Sequence, residues 1–170
     1  MLNHKFLELK TRRYLKRNTV HRANLAYRSA STAGIIFSTE DLKKHKLVKN
    51  FKHQLEEDGK TVNVLTYLPK GHQNFEFMFD FFTIKELNFW GIFNSEAVLN
   101  FVEQPFDYLF YLDQEGSPLI RNIMAMSKAK CRIANYEEEN AKFCEMMVQA
   151  PGNSYQGLLE DMYKYTKKLT

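Results

Sequence analysis

From Thr32 onward, short runs of β-branched and aromatic residues alternate with segments whose apolar residues recur at helical spacing. Parallel strands need such an alternation, because the chain must cross back over the sheet before each new strand, usually as a helix. The clearest central strand covers residues 106–112, where six of seven side chains are apolar or aromatic. The sequence therefore predicts an α/β fold of three layers, α/β/α, doubly wound around a mostly parallel sheet of five or six strands.

Turn and capping signals set the expected boundaries of these elements. The predicted strands are residues 34–37, 62–68, 75–82, 106–112, 131–134 and 143–148. Ser, Thr, Asn and Asp side chains cap the free N–H groups at a helix start. On that basis, helices are predicted to begin at Ser38-Thr39-Glu40-Asp41, at Asn94 or Ser95, at Ser117-Pro118, and at Asn153 or Ser154.

The charge of the chain is divided unevenly along its length. Residues 1–28 carry eight Lys or Arg residues against the single acid Glu8, a formal charge of +7, and the rest of the chain sums to −3. A segment of that charge density is attracted to phosphate and other anionic surfaces. Because 170 residues supply one well-filled core and are short for two, we predict a basic, helical N-terminal arm over residues 1–31 and a single α/β/α domain over residues 32–170.

Three interpretations of this arm remain open. A membrane-surface helix needs separate polar and apolar faces, but Arg13 and Lys16 fall on the side that carries the apolar residues. Those apolar residues are Leu2, Phe6, Leu9 and Val20. Nucleic acid is favoured by the arginine content and by Tyr14 and Tyr27, whose rings can stack on bases. In the third interpretation, the arm packs on the acidic body of its own subunit or of a neighbouring one.

The leading functional hypothesis is a non-catalytic interaction or scaffold domain. Under it, the α/β body is a rigid platform and four basic side chains of the arm contact an anionic partner. These side chains are Arg12, Arg13, Lys16 and Arg17. The candidate partners are nucleic acid or another anionic surface, together with a second copy of the chain in a homo-oligomer, and membrane association is less favoured.

The competing hypothesis places a ligand at the carboxyl ends of the strands, where open α/β sheets bind small molecules. The loop over residues 113–117 combines two carboxylates, a glycine and a helix start, and residues 38–40 form the loop after the first strand. The candidate ligand-binding residues are Ser38, Thr39, Asp113 and Ser117. Ordinary helix capping is the alternative role of such residues. With a ligand there, the protein would be a small transferase-like or nucleotide-recognising enzyme.

The sequence lacks the patterns that are typical of several kinds of active site. The sequence contains neither the Gly-x-Gly-x-x-Gly pattern of dinucleotide-binding loops nor the Gly-x-x-x-x-Gly-Lys-Ser/Thr pattern of nucleotide-binding loops. NAD and ATP are therefore not expected ligands. Two of the five histidines, His45 and His53, share a predicted helix but lie about 12 Å apart along it, too far for one metal ion. No serine lies in a nucleophile elbow, and neither Cys131 nor Cys144 has a histidine nearby in sequence. We therefore predict no catalytic residue, no metal and no other cofactor.

The single tryptophan, Trp90, allows two interpretations, an exposed aromatic patch for a partner or a position in the core or a lid. The two cysteines lie in apolar surroundings and indicate free thiols in a reducing compartment. The N-terminus lacks the apolar segment of a signal peptide, and no apolar run is long enough to span a membrane. The sequence thus predicts a cytoplasmic protein.

Four segments of the chain carry a resemblance to other proteins: Lys46–Phe51, Phe79–Phe82, Phe106–Leu109 and Ser127–Arg132. They resemble a family of short bacterial α/β proteins that is known only as a domain of unknown function. The resemblance covers nearly the whole chain. It implies a single α/β unit with an N-terminal extension, and it supplies no activity or catalytic residues to carry over.

A second segment, Phe106–Ile133, is similar to part of the N-terminal half of heptosyltransferase-like enzymes. There a strand, a serine-capped helix and a basic strand follow one another. The chain departs from these enzymes in two ways. Ser38-Thr39-Glu40-Asp41 replaces their glycine-rich first loop, and the second half, which holds the nucleotide-sugar, is missing.

Overall fold

A computed structural model describes residues 4–75, 79–150, 152 and 154–170 of the chain. Its sheet consists of β1 (Thr32–Ser38), β2 (Thr61–Tyr67), β3 (Asp80–Phe82), β4 (Tyr108–Tyr111), β5 (Cys131–Asn135) and β6 (Met146–Val148). Neighbouring strands all pair in parallel, in the order β3-β2-β1-β4-β5-β6. The predicted α/β fold is confirmed, with six strands and a sheet that is parallel throughout the described residues.

Helices cover both faces of the sheet and complete the three layers. They are α1 (His4–Arg17), α2 (Leu42–Glu57), α3 (Glu96–Glu103), α4 (Pro118–Met126) and α5 (Tyr155–Thr166). The apolar sides of α1, α3 and α4 share one core cluster, and those of α2 and α5 share the other. Within the described residues, no helix is long and apolar enough to cross a membrane.

The central strands form the core because both of their faces are covered. In β4, Tyr108 and Phe110 pack toward α2 and α5, while Leu109 and Tyr111 pack toward the opposite layer. Gly34 in β1 has a packing reason, since a Cβ there would lie 2.7 Å from the ring of Phe106. The strand pair β1–β4 is therefore the closely packed centre of the molecule.

Helix starts agree with the capping signals. The side chains of Asp41, Ser95 and Ser154 accept hydrogen bonds from backbone N–H groups at the starts of α2, α3 and α5. The predicted strand 143–148 is shorter than expected, because a 3-10 turn over Glu138–Lys142 precedes β6. In the described part of the predicted strand 75–82, Asp80–Phe82 forms a strand and Phe75 and Phe79 do not. Residues 76–78 lie outside the described residues, as does Asn153.

Helix α1 packs against α4 and buries the side that carries Leu7 and Thr11. Leu7 is 2% exposed beneath the helix, whereas Leu9, which we assigned to the apolar side, is 58% exposed. Asn122 of α4 donates to the hydroxyl of Thr11 at 2.8 Å, and that hydroxyl donates to the carbonyl of Leu7. Apolar residues thus occur on both sides of this helix, and the side that carries Leu7 is the one buried against the body. Leu2 lies outside the described residues.

The segment between α1 and β1 runs along the amino-terminal edge of the sheet. The N–H of Ala23 donates to the carbonyl of Lys130, and the N–H of Tyr27 to the carbonyl of Leu169. Asn18 donates to the carbonyls of Ala125 and Ser127 at 2.9 Å each. These bonds hold residues 18–27 to the body, and the treatment of residues 1–31 as a separate arm stays a prediction.

Candidate functional site

The strand order reverses between β1 and β4, because the chain leaves these two neighbours toward opposite edges of the sheet. At such a switch point the following loops separate and leave a crevice at the carboxyl ends of the strands. Here the crevice is a cleft of about 770 Å³ between β1, β4 and the starts of α2 and α5. We call it the switch-point cleft.

Asp113 closes the bottom of the switch-point cleft. Its carboxylate accepts the backbone N–H of Ser38 at 2.9 and 3.1 Å and the Ser38 hydroxyl at 2.7 Å. The Lys44 ammonium group donates to the same carboxylate at 2.8 Å. Most of the acceptor capacity of Asp113 is therefore used within the protein, and the bonds fasten the end of β4 to the end of β1 and to α2.

Lys44 is the cationic partner of this carboxylate, and both side chains are almost fully buried, at 6% and 5% exposed. The ammonium group also donates to Glu40 at 2.6 Å and lies 5.2 Å from the centre of the Tyr155 ring. Burial raises the pKa of the Asp113 carboxyl above its ordinary value, while Lys44 and the donors of Ser38 oppose that rise. The positive charge of Lys44 thus compensates the negative charge of Asp113 inside the fold.

The walls of the switch-point cleft carry more acid than base. Four carboxylates line it, from Glu40, Asp41, Asp113 and Glu115, against the ammonium groups of Lys43 and Lys44. Its two helix starts are already capped, since the Asp41 carboxylate accepts the N–H of Lys44 and the Ser154 hydroxyl accepts the N–H of Gly157. Phosphate groups favour free helix N-termini and cationic walls, so this lining suits them poorly.

The structure brings only part of the predicted ligand-binding set together. Ser38 and Asp113 meet in the switch-point cleft. Thr39 turns toward β2, where its hydroxyl shares a hydrogen bond of 2.8 Å with that of Thr66. Ser117 precedes α4, and its N–H donates to the hydroxyl of Tyr111 at 2.7 Å. Whether these residues bind a ligand stays a prediction.

Gly116, the glycine of the loop over residues 113–117, has a packing role. A Cβ at this position would lie 1.9 Å from the Arg121 guanidinium. That guanidinium donates to Glu137 at 2.5 Å and to Asn140 at 2.9 Å, and Glu137 in turn accepts the N–H of Gly116. The loop after β4 is thus fixed by the buried Arg121 and its partly exposed partner Glu137.

Sequence reasoning missed Lys44 and Tyr155, which complete the switch-point cleft from α2 and α5. One signal could have found Lys44. Lysines in the first turn of a helix are disfavoured by the helix dipole, and Lys43 and Lys44 both lie there. A cation in that position requires a nearby carboxylate, which Asp113 supplies.

The basic residues of α1 lie on the side of the helix that faces away from α4. We call the following exposed residues the outer face of α1: Lys5, Glu8, Leu9, Arg12, Arg13, Lys16 and Arg17. Arg12 pairs with Glu8 at 2.5 Å, in a contact open to solvent. Among the residues that the structure describes, no acidic side chain forms an ion pair with Arg13, Lys16 or Arg17.

Trp90 lies at the tip of the turn over residues 88–91 and is 57% exposed. Its indole ring contacts Phe6 of α1, with ring centres 5.1 Å apart, and Phe89, with ring centres 5.4 Å apart. Of the two interpretations left open by the sequence, the structure agrees with an exposed aromatic patch. That patch borders the outer face of α1.

Comparison with known proteins gives one match. A family model described as a family of unknown function (DUF6913) matches residues 3–169. No curated protein and no solved structure matches the chain. The similarity to heptosyltransferase-like enzymes therefore has no support from these comparisons.

Proposed function

Since the chain belongs to a family of unknown function, its role has to be inferred from its own surfaces, and we propose that it is a non-catalytic interaction domain. In this proposal the outer face of α1 contacts an anionic partner. The observation that carries it is the exposure of Arg12, Arg13, Lys16 and Arg17 on one side of a helix that the body holds in place.

Charge supports the proposal. The outer face of α1 presents five basic side chains and one acidic side chain, Glu8. Arginine side chains match phosphate, sulfate and carboxylate groups with two parallel hydrogen bonds. A partner of high negative charge density would therefore gain several contacts at once.

The rigidity of the helix also supports it. The inner side of α1 is fixed by Leu7 in the core and by the hydrogen bond from Asn122 to Thr11. A partner would thus meet basic side chains on a preformed helix, without the entropic cost of folding a disordered segment.

The test is the affinity for heparin, a polyanion with neither bases nor lipid, measured by calorimetry. Replacing Arg12, Arg13, Lys16 and Arg17 by Ala should weaken binding at least about tenfold. Each basic side chain that contacts the polyanion releases bound counterions, and the variant loses that contribution. Unchanged affinity in this variant would overturn the proposal.

A matched control removes the same charge elsewhere. Four exposed lysines lie outside α1, and they are Lys46, Lys70, Lys164 and Lys168. Replacing all four by Ala leaves the net charge equal to that of the α1 variant. We expect heparin affinity close to wild type. A loss equal to that of the α1 variant would mean that total charge, rather than the outer face of α1, attracts the polyanion.

The second candidate is a small transferase-like or nucleotide-recognising enzyme that uses the switch-point cleft. Its position and volume favour this candidate, since ligands of doubly wound folds bind at the switch point. The acidic lining and the mutual engagement of Lys44 and Asp113 speak against a phosphate-bearing ligand. A thermal-shift screen over nucleotides and nucleotide-sugars tests it. A melting temperature that rises with one compound, and no longer does so in an Asp113→Asn variant, would favour the enzyme.

A further inference from the structure

The turn over residues 88–91 displays Phe89 and Trp90, which are 53% and 57% exposed. A single exposed apolar side chain is ordinary on a protein surface. Two adjacent large rings are different, because they form a continuous apolar surface that solvent disfavours. Their display therefore needs a reason beyond folding.

Hydrogen bonds hold this turn in one conformation. The Asn88 side-chain carbonyl accepts the N–H groups of Trp90 and Ile92, at 2.9 and 3.0 Å. The N–H of Asn88 donates to the carbonyl of Ile92 at 3.0 Å, and that of Gly91 to the carbonyl of Asn88. The two rings are thus presented on an ordered backbone, which lowers the entropic cost of binding.

The turn lies directly against the basic helix. Gly91 has a φ of +73°, and a Cβ there would lie 2.9 Å from the Cα of Leu7, so only glycine fits this approach. The ring of Phe6 lies between the two elements, 5.4 Å from Phe89 and 5.1 Å from Trp90. We call Phe6, Phe89 and Trp90 the aromatic cluster.

Helical spacing places basic side chains in line with the aromatic cluster. Residues three or four apart lie on the same side of a helix. Phe6 is therefore followed along one side of α1 by Lys10, Arg13 and Arg17, a row of about 16 Å at 1.5 Å per residue. Aromatic rings lie at one end of this row and exposed arginines at the other.

We propose that the aromatic cluster and this basic row bind single-stranded nucleic acid. Bases stack on Trp90 and Phe89, and the phosphates that follow along the strand contact Arg13 and Arg17. Stacking rings beside a basic track are the combination that single strands require, and paired bases in a duplex do not offer their faces. This inference rests on the proposed function and adds the chemical class of the partner.

A lipid surface fits the same features less well. A helix that lies in a membrane interface buries its own apolar side in the lipid. In α1 that side is already occupied, because Leu7 is 2% exposed and packs in the core. The exposed Leu9 lies among charged residues of the outer face, so α1 itself has no apolar side left to bury in lipid.

The chain offers a direct probe, because Trp90 is its only tryptophan. Titration with oligothymidylate should quench its fluorescence, since a stacked base quenches an indole. Heparin, which has no bases, should bind without that quenching. The same titration with vesicles of phosphatidylglycerol and phosphatidylcholine would shift the emission to the blue if the indole entered lipid.

Substitutions separate stacking from charge. Trp90→Ala should lower the affinity for labelled oligothymidylate about tenfold, within the range measured for one stacked base, and leave heparin affinity unchanged. Trp90→Phe should keep most of the affinity, because it keeps a ring. Leu99→Ala, at a side chain of α3 that is 47% exposed, is the matched control and should change neither affinity. Circular dichroism checks that each variant is folded.

The outcomes are distinguishable. If the affinity for oligothymidylate is the same in Trp90→Ala as in wild type while the α1 charge variant loses heparin binding, stacking is refuted and the interaction domain stands. A blue shift with vesicles and no oligothymidylate binding refutes the single strand in favour of lipid. If the α1 charge variant binds both polyanions normally, the proposed function fails together with this inference.

Discussion

The switch-point cleft and the outer face of α1 both concentrate charge, but they use it in opposite ways. In the cleft, Lys44 and Asp113 are buried and paired, 2.8 Å apart. On α1, Arg13, Lys16 and Arg17 are exposed and have no acidic partner among the described residues. The first set of charges holds strand ends together, and the second is available to another molecule.

Burial determines what a charged side chain contributes to this protein. A buried ion pair is costly to break, because removal of one partner leaves the other charged and desolvated. Exposed charges contribute little to folding, so their accumulation on one helix calls for another explanation. Because Asp113 is buried and paired with Lys44, it has a structural role at the strand end, whether or not it also binds a ligand.

The largest effect should come from breaking the buried pair. Lys44→Ala should lower the free energy of unfolding by about 3–5 kcal/mol, because Asp113 loses its counter-charge in the core. Urea denaturation measures the loss. The neighbouring exposed Lys43→Ala should stay within about 0.5 kcal/mol of wild type. The double variant Lys44→Met with Asp113→Asn should recover part of the loss, since no unpaired charge remains. If Lys44→Ala unfolded no more readily than Lys43→Ala, the buried ion pair would contribute no more to stability than an exposed charge.

A smaller effect concerns Asp107, which lies just before β4, at the other end of that strand from Asp113. Burial opposes its ionisation, but hydrogen bonds from Lys130, Ser31 and Thr32 hold its pKa at about 2, below the ordinary 3.8. The folded state thus favours the carboxylate, and this contribution is present above pH 3.8 and disappears as the pH falls from 3.8 toward 2. It amounts to about 2 kcal/mol.

The measurement for Asp107 is the free energy of unfolding of wild type and Asp107→Asn as the pH falls. The difference between the two proteins should be constant near neutrality and shrink by about 2 kcal/mol between pH 3.8 and 2. A difference that does not change with pH would show that the Asp107 charge contributes nothing to folding.

The smallest effect on stability is expected at the outer face of α1. Replacing Arg12, Arg13, Lys16 and Arg17 by Ala should change the free energy of unfolding by less than about 1 kcal/mol, because exposed substitutions are nearly neutral and Ala favours the helix. Thermal unfolding followed by circular dichroism checks this. A loss as large as that of Lys44→Ala would assign these charges to the fold and remove their availability for a partner.

Much of the fold was predictable because local signals agreed with one another. Strand-like runs, helical spacing and caps such as Asp41 and Ser95 all indicated alternating elements, and the structure places the elements there. The short β6 was overestimated, because apolar residues near Phe143 belong to the end of a 3-10 turn and not to the strand.

The sites were less predictable, because they depend on residues distant in sequence. Asp113 was found from its position after a strand, but its partner Lys44 lies 69 residues away and follows no motif. On α1, Leu7 and Leu9 are equally apolar, and the distant surfaces against which α1 packs determine which one is buried. The exposure of Trp90 likewise depends on a turn whose approach to α1 requires Gly91.

The most direct test of the central claim is the dependence of heparin affinity on salt concentration for wild type and for the variant with Arg12, Arg13, Lys16 and Arg17 replaced by Ala. The logarithm of the association constant falls linearly with the logarithm of the salt concentration, and each basic side chain that contacts a polyanion makes this slope steeper. We predict a steep dependence for wild type and a clearly shallower one for the variant. Equal slopes for the two proteins would contradict the claim that the outer face of α1 is the contact surface.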